Sequence, residues 1–415
     1  MPQPAAERVL PFAEARHIVE EHARLLLQRE PAVEEVTLSQ ARRLVLAESV
    51  CADRDLPPFP RAARDGFAIM AADVAAAGDS SPATLKVVGE ITAGASELPE
   101  VHAGEAAAIM TGAAAPASAD AIVMVEYTRR SDQSCVQVLR PVRSGENIVP
   151  RGAEARAGDV LLAKRHRLDP AAIAVAASVG KAELRVYRKP RVAVLATGDE
   201  LVTVESVPAP HQIRNSNSWS LAAQVDAIGG EAVMLPAAPD EEHRLAELIG
   251  EGLKSDLLLL AGGVSMGTYD LVKPALAKFG AEFFFTSVLI QPGRPTVFGR
   301  AAGKYFFGLP GNPVSTLVTF ELFARPVIEA LGGAESRPLH YLQAKLKSDI
   351  KTKTGLTRFL PARLSGQLEH TEVELVRWQG SGDVVATAAA NCYIVIPPER
   401  DHIARGELVS VLPAR

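Results

Sequence analysis

Apolar residues in the middle of the chain fall in short continuous runs, and segments with helical spacing separate these runs. The clearest run is Leu257–Ala261, which two glycines end abruptly. Continuous apolar strands that alternate with helices are typical of a mostly parallel sheet with helices on both faces. The pattern predicts strands at 191–196, 231–235, 256–261, 283–288 and 304–308. It predicts helices at 217–228, 240–253, 270–279 and 313–331.

The flanking regions follow other patterns, so that the whole chain is predicted to be a multidomain α/β protein. Residues 12–28 and 168–179 have the properties of helices, whereas residues 65–150 and the tail show short β-type segments between turns. The predicted domains are an N-terminal helical and linker domain (1–60 with 152–187), an inserted β-rich domain (61–151), the α/β sheet domain (188–333) and a small C-terminal β-barrel (334–415).

Three predicted strands of the sheet domain end in glycine-rich or polar loops. These loops begin at Ala196, Ala261 and Gly308. Ligands of such sheets bind outside the carboxyl ends of the strands, so the three loops predict one ligand crevice. Glycine N–H groups beside a helix start suit an anion, although ordinary turns use the same residues. The neutral hydrogen-bonding side chains in these loops are Thr197, Ser265, Asn312 and Ser315, and Asn312 is the expected N-cap of the following helix.

Charged residues near the same edge suggest a metal-assisted anion site. The carboxylates are Asp199, Glu200 and Asp270, and Mg²⁺ held by one or two carboxylates together with ligand phosphates fits that set. Lys273 and Arg294 are candidates to complete an anion pocket. The alternative is that Asp199 and Asp270 only cap helices or turns.

Composition excludes several classes of protein. The 415 residues are 47% hydrophobic and 22% charged, with a net charge of −5, so no general basic field attracts nucleic acid. No membrane-spanning run or signal segment is expected. The three cysteines, Cys51, Cys135 and Cys392, lack metal or redox spacing and are expected to be reduced thiols of a cytoplasmic protein.

Several ordered motifs resemble one family, the molybdopterin molybdenumtransferases, or molybdenum insertases, which are related to the C-terminal domain of gephyrin. The resemblance runs from about residue 10 to residue 330 in family order, and the β-rich tail also matches. The motifs are Asp65-Gly-Phe-Ala68, Thr111-Gly with the later Ala119–Glu126, Gly145–Ile148, Thr197–Leu201, Gly262–Gly267 with Asp270, Gln291–Pro295 and Gly308–Ser315.

The resemblance implies a reaction, an assembly and a set of site residues. Molybdate and adenylylated molybdopterin would give molybdenum cofactor and AMP, with Mg²⁺ or another divalent cation, in an elongated homodimer of four-domain subunits. Glu200 and Asp270 would be metal-linked or catalytic carboxylates, with Asp65 contributing across the dimer. The expected substrate-binding residues are Thr111, Thr197, Gly262, Gly263, Ser265, Lys273, Arg294, Pro310, Gly311, Asn312 and Ser315. The enzyme that adenylylates molybdopterin is a further candidate partner.

The chain also departs from the family pattern at a few positions. Arg64 and Phe67 stand where the family commonly has Met and Tyr, and Ala153-Glu154 replaces a Glu-Asp pair. Arg294 replaces a common Lys, which keeps the charge but changes its geometry. These departures leave two alternatives open: a non-catalytic molybdopterin carrier or scaffold, and a tungstate-preferring paralogue. A third alternative treats the sheet domain as an adenylyltransferase, like the related domain that activates molybdopterin with ATP.

Overall fold

The computed structural model describes residues 8–130, 134–263, 271–367 and 370–414. The chain divides into two compact units. The first unit comprises 1–47, 165–169 and 184–415, and the second comprises 48–164 and 170–183. Each unit has apolar cores of its own. The finer division into four domains stays a prediction.

An amphipathic helix opens the described part of the first unit. Helix α1 (Phe12–Leu27) confirms the helix predicted at 12–28 and buries Ala15, Val19 and Ala23. Ala15 and Val19 belong to the largest apolar core, which continues into the sheet domain. The short strands beside α1 are β1 (Val9–Leu10), β2 (Val33–Thr37) and β3 (Val45–Leu46).

The second unit is built around a six-stranded sheet. Its elements are β4 (Val50–Cys51), β5 (Arg61–Ala62), β6 (Gly66–Ile69), β7 (Ala83–Ile91), β8 (Glu105–Ile109), β9 (Ala121–Met124), β10 (Thr128–Arg130), β11 (Cys135–Val138), β12 (Ile148–Val149), β13 (Val160–Leu162) and α2 (Pro170–Ser178). The sheet order is β10-β11-β7-β8-β6-β9. Successive side chains of β6 enter different apolar cores, because strand side chains alternate between the two faces of a sheet.

The Asp65-Gly66 pair is not the hairpin turn that such a pair commonly forms. Gly66 instead begins β6, which lies between β8 and β9 in the sheet. A Cβ atom on Gly66 would lie 1.9 Å from the carbonyl oxygen of Val123. Glycine is therefore required here by the close approach of a neighbouring strand.

The sheet domain of the first unit confirms the predicted alternation of strands and helices. Before it, β14 (Glu183–Tyr187) pairs with β2 and β3. The strands of the sheet domain are β15 (Arg191–Ala196), β16 (Leu201–Val202), β17 (Ile213–Arg214), β18 (Glu231–Met234), β19 (Leu257–Ala261), β20 (Glu282–Phe285), β21 (Ser287–Val288), β22 (Ile290–Gln291), β23 (Val297–Ala301) and β24 (Lys304–Leu309). Its helices are α3 (Ser216–Ala227), α4 (Glu242–Gly252), α5 (Val272–Ala277), α6 (Pro313–Thr319) and α7 (Arg325–Leu331), with a π-helical turn (Phe320–Ala324) joining α6 to α7.

The main sheet of this domain has the order β18-β15-β19-β24-β23-β20. The first four strands are parallel, β23 runs antiparallel to β24, and the edge strand β20 pairs antiparallel with β23. The sequence pattern missed β23 because Gly299 interrupts it. A Cβ atom there would lie 2.4 Å from the Glu282 carbonyl oxygen and 2.5 Å from the Phe306 ring, so packing favours glycine in this strand.

The C-terminal residues form the predicted barrel. Its elements are β25 (Leu342–Leu346), β26 (Ile350–Lys351), β27 (Thr357–Gln367), β28 (His370–Leu375), α8 (Val384–Ala389), β29 (Cys392–Ile396), β30 (His402–Ile403) and β31 (Leu408–Pro413). Strands β27, β28, β25, β31 and β29 pair in that order, and pairing of β29 with β27 closes the ring. Helix α8 was not predicted. In the part of the chain that the structure describes, no helix has the length and apolar character needed to span a membrane.

Replacing Gly66 with Ala should destabilise the second unit. The added methyl group must displace the Val123 carbonyl, and overpacking of this kind costs about 1–3 kcal/mol or more. Denaturant unfolding should show a lower midpoint for the second unit. Gly78→Ala is the matched control, since no atom lies within 4 Å of its added Cβ. Equal midpoints for the two variants would contradict the proposed close contact.

Candidate functional site

Three parallel strands of the sheet domain end at the same level. Ala196 of β15 is paired with Ala261 of β19, and Ala261 is paired in turn with Leu309 of β24. The loops that follow therefore begin side by side, as the crevice rule predicts. They line a cavity of about 650 Å³, here called the strand-end crevice, together with residues from β17, α3 and the C-terminal domain.

Glycines allow the loops of the crevice to approach one another closely. Gly262 and Gly263 have φ values of +100° and +64°, which other residues rarely adopt. A Cβ atom on Gly262 would lie 2.7 Å from the Thr197 carbonyl oxygen, and one on Gly311 would lie 3.5 Å from the Gly262 Cα. A side chain on Gly262 would therefore push two loops of the crevice apart, whereas one on Gly311 would only make ordinary contact.

Not all of the loop N–H groups are available to a ligand. The Thr197 N–H donates to the Ala261 carbonyl (3.0 Å), and the Gly262 N–H donates to the Leu309 carbonyl (3.1 Å). The Gly262 N–H therefore extends the strand pairing, and Gly262 lines the crevice through its close backbone packing. The N–H groups of Gly263 and Gly311 have no acceptor among the described residues.

Two buried polar side-chain atoms at the crevice also lack a partner. The Thr197 side chain is only slightly exposed, and its Oγ1 accepts and donates no hydrogen bond within the described residues. Asn217 donates from Nδ2 to the Gly311 carbonyl (2.7 Å), while its buried Oδ1 has no partner there. Buried polar atoms are normally hydrogen-bonded, so these two atoms are hydrogen-bonding groups at the crevice that no described residue satisfies.

The charged residues of the crevice are Glu200, Asp240 and Arg214. The Asp199 carboxylate accepts the Asp240 N–H (2.9 Å). Burial, followed by the negative charges of Asp199 and Glu200, raises the pKa of Asp240. Arg214 lies on β17, where its Nε donates to the Ser206 carbonyl (3.1 Å). Among the described residues, the crevice thus combines two carboxylates with the guanidinium of Arg214.

The C-terminal domain supplies one wall of the crevice. Asn312 occupies the N-cap position of α6 as predicted, but its side chain does not cap that helix. Its Nδ2 instead donates to the Ser381 hydroxyl (2.8 Å), and the Val314 N–H donates to the Ser381 carbonyl (3.0 Å). Asp383 caps α8 by accepting the Ala386 N–H (3.0 Å), which places Gly382 and Val384 at the crevice.

Comparison with protein families identifies the three parts of the chain. Residues 10–180 match the MoeA N-terminal region (domain I and II), residues 193–330 match a probable molybdopterin binding domain, and residues 343–414 match the MoeA C-terminal region (domain IV). The chain belongs to the MoeA family. The family relationship predicted from the ordered motifs is therefore confirmed.

Individual relatives agree with this assignment over nearly the whole chain. The molybdopterin molybdenumtransferase of Bacillus subtilis (strain 168) is 35% identical over 395 residues, which cover 94% of this chain and 91% of that protein. The Staphylococcus aureus (strain Mu50) protein of the same name is 35% identical over 378 residues, covering 91% and 90%. The molybdopterin biosynthesis MoeA protein from Pyrococcus horikoshii OT3 has a TM-score of 0.77 at 30% identity, covering 98% of this chain and 100% of that one.

The structure places the other predicted site residues of this MoeA-family chain in different settings. Pro310, Gly311 and Asn312 line the crevice, while Ser315 is buried in α6. Lys273 in α5 and the exposed Arg294 do not line it, although Pro295 does. Ser265 and Asp270 lie outside the described residues. Their roles stay predictions.

Among the crevice residues that were not predicted as site residues are Arg214, Asn217 and Asp240. Asp240 was assigned to the first turn of a helix, but α4 begins only at Glu242. Asp240 instead follows β18, the fourth parallel strand, so applying the crevice rule to that strand would have found it. The Arg214–Asn217 segment carries no comparable sequence signal.

Asp65 and Thr111 form a second polar pair in the other unit. They line a cavity of about 690 Å³ together with residues of β6, β7 and β8. The Asp65 Oδ1 accepts from the Thr111 N–H (2.7 Å) and from its hydroxyl (3.0 Å). These two hydrogen bonds stabilise the carboxylate and lower the pKa of Asp65.

Replacing Thr111 with Val should raise the pKa of Asp65 toward its ordinary value, because the hydroxyl bond is lost while the backbone bond remains. The stability that this shift contributes is present above the unfolded-state pKa and is lost as the pH falls through the lower folded-state pKa. NMR titration of the Asp65 carboxyl group measures the change directly. Thr128→Val is the control, since its hydroxyl donates to the Val125 carbonyl. An unchanged titration in Thr111→Val would contradict the assigned hydrogen bond.

Proposed function

We propose that this chain transfers molybdenum from molybdate to adenylylated molybdopterin and releases AMP. Its curated relatives carry the name molybdopterin molybdenumtransferase, and residues 193–330 match a probable molybdopterin binding domain. The observation that carries the proposal is the strand-end crevice, where Thr197 Oγ1 and Asn217 Oδ1 are buried without a partner among the described residues. A polar heterocycle with attached phosphates supplies both donors and acceptors for such atoms.

The anionic part of the substrate would be held by the N–H groups of Gly263 and Gly311 and by Arg214. Hydrogen bonds from N–H groups and a guanidinium to phosphate oxygens are charge-assisted and therefore stronger than neutral ones. Arg214 is the cation among the described crevice residues, and its Nε bond to the Ser206 carbonyl restrains it while leaving its terminal nitrogens for a ligand. Acidic residues alone would repel such a substrate.

A divalent cation such as Mg²⁺ fits this arrangement as an ion shared with the substrate. Among the described residues no group of three or more His, Cys, Asp or Glu side chains could form a complete protein cage. Mg²⁺ commonly takes one or two carboxylates and completes its shell with phosphates and water. Glu200 and Asp240 would hold it in that manner, and Asp270 is a further proposed ligand. The ion would neutralise the charge that develops as AMP leaves.

The protein would work as a homodimer. In this proposal Asp65 and Thr111 of one subunit complete the crevice of the other. The restrained carboxylate of Asp65 supports this, because its hydrogen bonds to Thr111 keep it ionised and oriented while it remains exposed. The proposed substrate is then enclosed by polar groups on both sides.

The direct test is to incubate the purified protein with adenylylated molybdopterin, Mg²⁺ and molybdate, and to measure AMP. The wild type should release AMP in a molybdate-dependent manner. Glu200→Gln should lower that rate by about 100-fold or more, since electrostatic groups at a reacting centre typically contribute that much. Because Glu200 is exposed, the variant should fold normally.

Glu205→Gln is the matched control, since Glu205 is exposed in the same segment and does not line the crevice. Tight binding of adenylylated molybdopterin without AMP release would favour the carrier alternative. Release that depends on tungstate rather than molybdate would favour the tungstate-preferring paralogue. Equal rates for Glu200→Gln and Glu205→Gln would remove Glu200 from the mechanism.

A further inference from the structure

A second large cavity of the first unit lies at the opposite end of the main sheet. It has a volume of about 870 Å³ and is bordered by Asp256, Lys304 and Tyr305, which stand at the amino ends of β19 and β24. The end of α1 and the end of α7 form its other walls. We call it the basal cavity. The five residues of β19 and the six residues of β24 run from the basal cavity to the strand-end crevice. This length of extended chain spans about 16–20 Å.

The side chains around the basal cavity carry more positive than negative charge. Its charged lining residues are Arg29, Arg188, Arg300, Lys304, Glu30 and Asp256, four cations against two acids. This local excess contrasts with the net charge of −5 of the whole chain. Like charges gathered around one cavity repel each other unless a counter-charge is present.

The ion pairs within the cavity do not use all of these cations. Asp256 is shared, since it accepts from Arg188 at 3.0 Å and lies 3.8 Å from the Lys304 ammonium. Arg300 is paired with Glu282 at 3.1 Å through one terminal nitrogen. Arg29 has no ion pair with any residue that the structure describes. Guanidinium N–H groups are therefore left to face a ligand.

The wall between these cations is ordered and partly apolar. Tyr305 is almost fully buried, and its hydroxyl lies 3.0 Å from Nδ1 of His22, whose ring stacks on Phe284 at 4.0 Å. Leu25, which is half exposed, and Leu331 add apolar surface to the cavity. A cavity of several hundred Å³ with an apolar wall and a few convergent charges has the usual properties of a small-molecule site.

We propose that the basal cavity is a second ligand site, which binds a small phosphorylated molecule with at least two negative charges. Arginine suits this ligand, because its planar group donates paired hydrogen bonds to phosphate oxygens. Arg29 and Arg300 would contact the phosphates, and the apolar wall near Leu25 would contact the organic part. The proposal does not depend on the reaction at the strand-end crevice.

The test is calorimetric titration of the full-length protein with inorganic pyrophosphate at low ionic strength. Arg29→Gln/Arg300→Gln should weaken pyrophosphate binding by about tenfold or more, because two charge-assisted contacts are lost. Both side chains are exposed, so the double variant should keep the wild-type melting temperature. Because Arg214 is proposed to bind phosphate in the strand-end crevice, the titration is repeated in the Arg214→Gln background, where pyrophosphate binding that depends on Arg29 and Arg300 should persist.

Arg24→Gln/Arg129→Gln is the control of equal charge, since both arginines are exposed and neither lines the basal cavity. It should bind pyrophosphate as the wild type does. Equal weakening in the two double variants would show general electrostatic attraction and overturn the proposal. An absence of pyrophosphate binding would also overturn the proposal. Binding of an acidic peptide in place of pyrophosphate would overturn it as well.

Discussion

The in-register ending of three parallel strands is the constraint on which the rest of the site depends. Ala196, Ala261 and Leu309 stand side by side, and the next hydrogen bonds, from Thr197 to Ala261 and from Gly262 to Leu309, continue the pairing into the loops. These strands are buried on both faces, so a slip of one residue in register would move side chains from one packed core into the other and disrupt both. The level at which the crevice begins is therefore set by the core of the domain.

Close packing of the loops follows from that alignment. Once the strands end together, the backbones after them must pass one another, and only glycine fits at Gly262 and Gly263. This packing keeps Thr197 buried, and its hydroxyl has no hydrogen-bond partner among the described residues. The Asn312–Ser381 bond then joins the C-terminal domain to the same loops, so that a second domain shapes the crevice.

The local features were predictable from the sequence, and the long-range features were not. Apolar runs predicted the parallel strands, and ordered motifs indicated the family. The Asn312 side chain could not be assigned, because its partner Ser381 lies 69 residues away along the chain. Strand β23 was missed for a related reason. Gly299 makes room for the Glu282 carbonyl and the Phe306 ring, which belong to other strands and are not evident from the local sequence.

The site residues also divide into those that local sequence features predicted and those that depend on long-range contacts. Gly311 and Thr197 stand in loops that directly follow predicted strands, and both were found from the sequence. Arg214 lies on the short strand β17, which pairs with β16 across a loop, and nothing in its local pattern predicts that it faces a ligand. Asp240 was missed because acidic residues at a predicted helix start are usually caps.

Hydrogen–deuterium exchange with and without molybdopterin tests the central claim most directly, namely that the strand-end crevice is the molybdopterin site. Molybdopterin should slow exchange in peptides that contain Gly263, in those that contain Gly311 and in those that span Arg214–Asn217. Peptides around Arg29 and Arg300 should exchange at the same rate in both conditions. Protection that is confined to the basal cavity, or absent from the three crevice segments, would contradict the account.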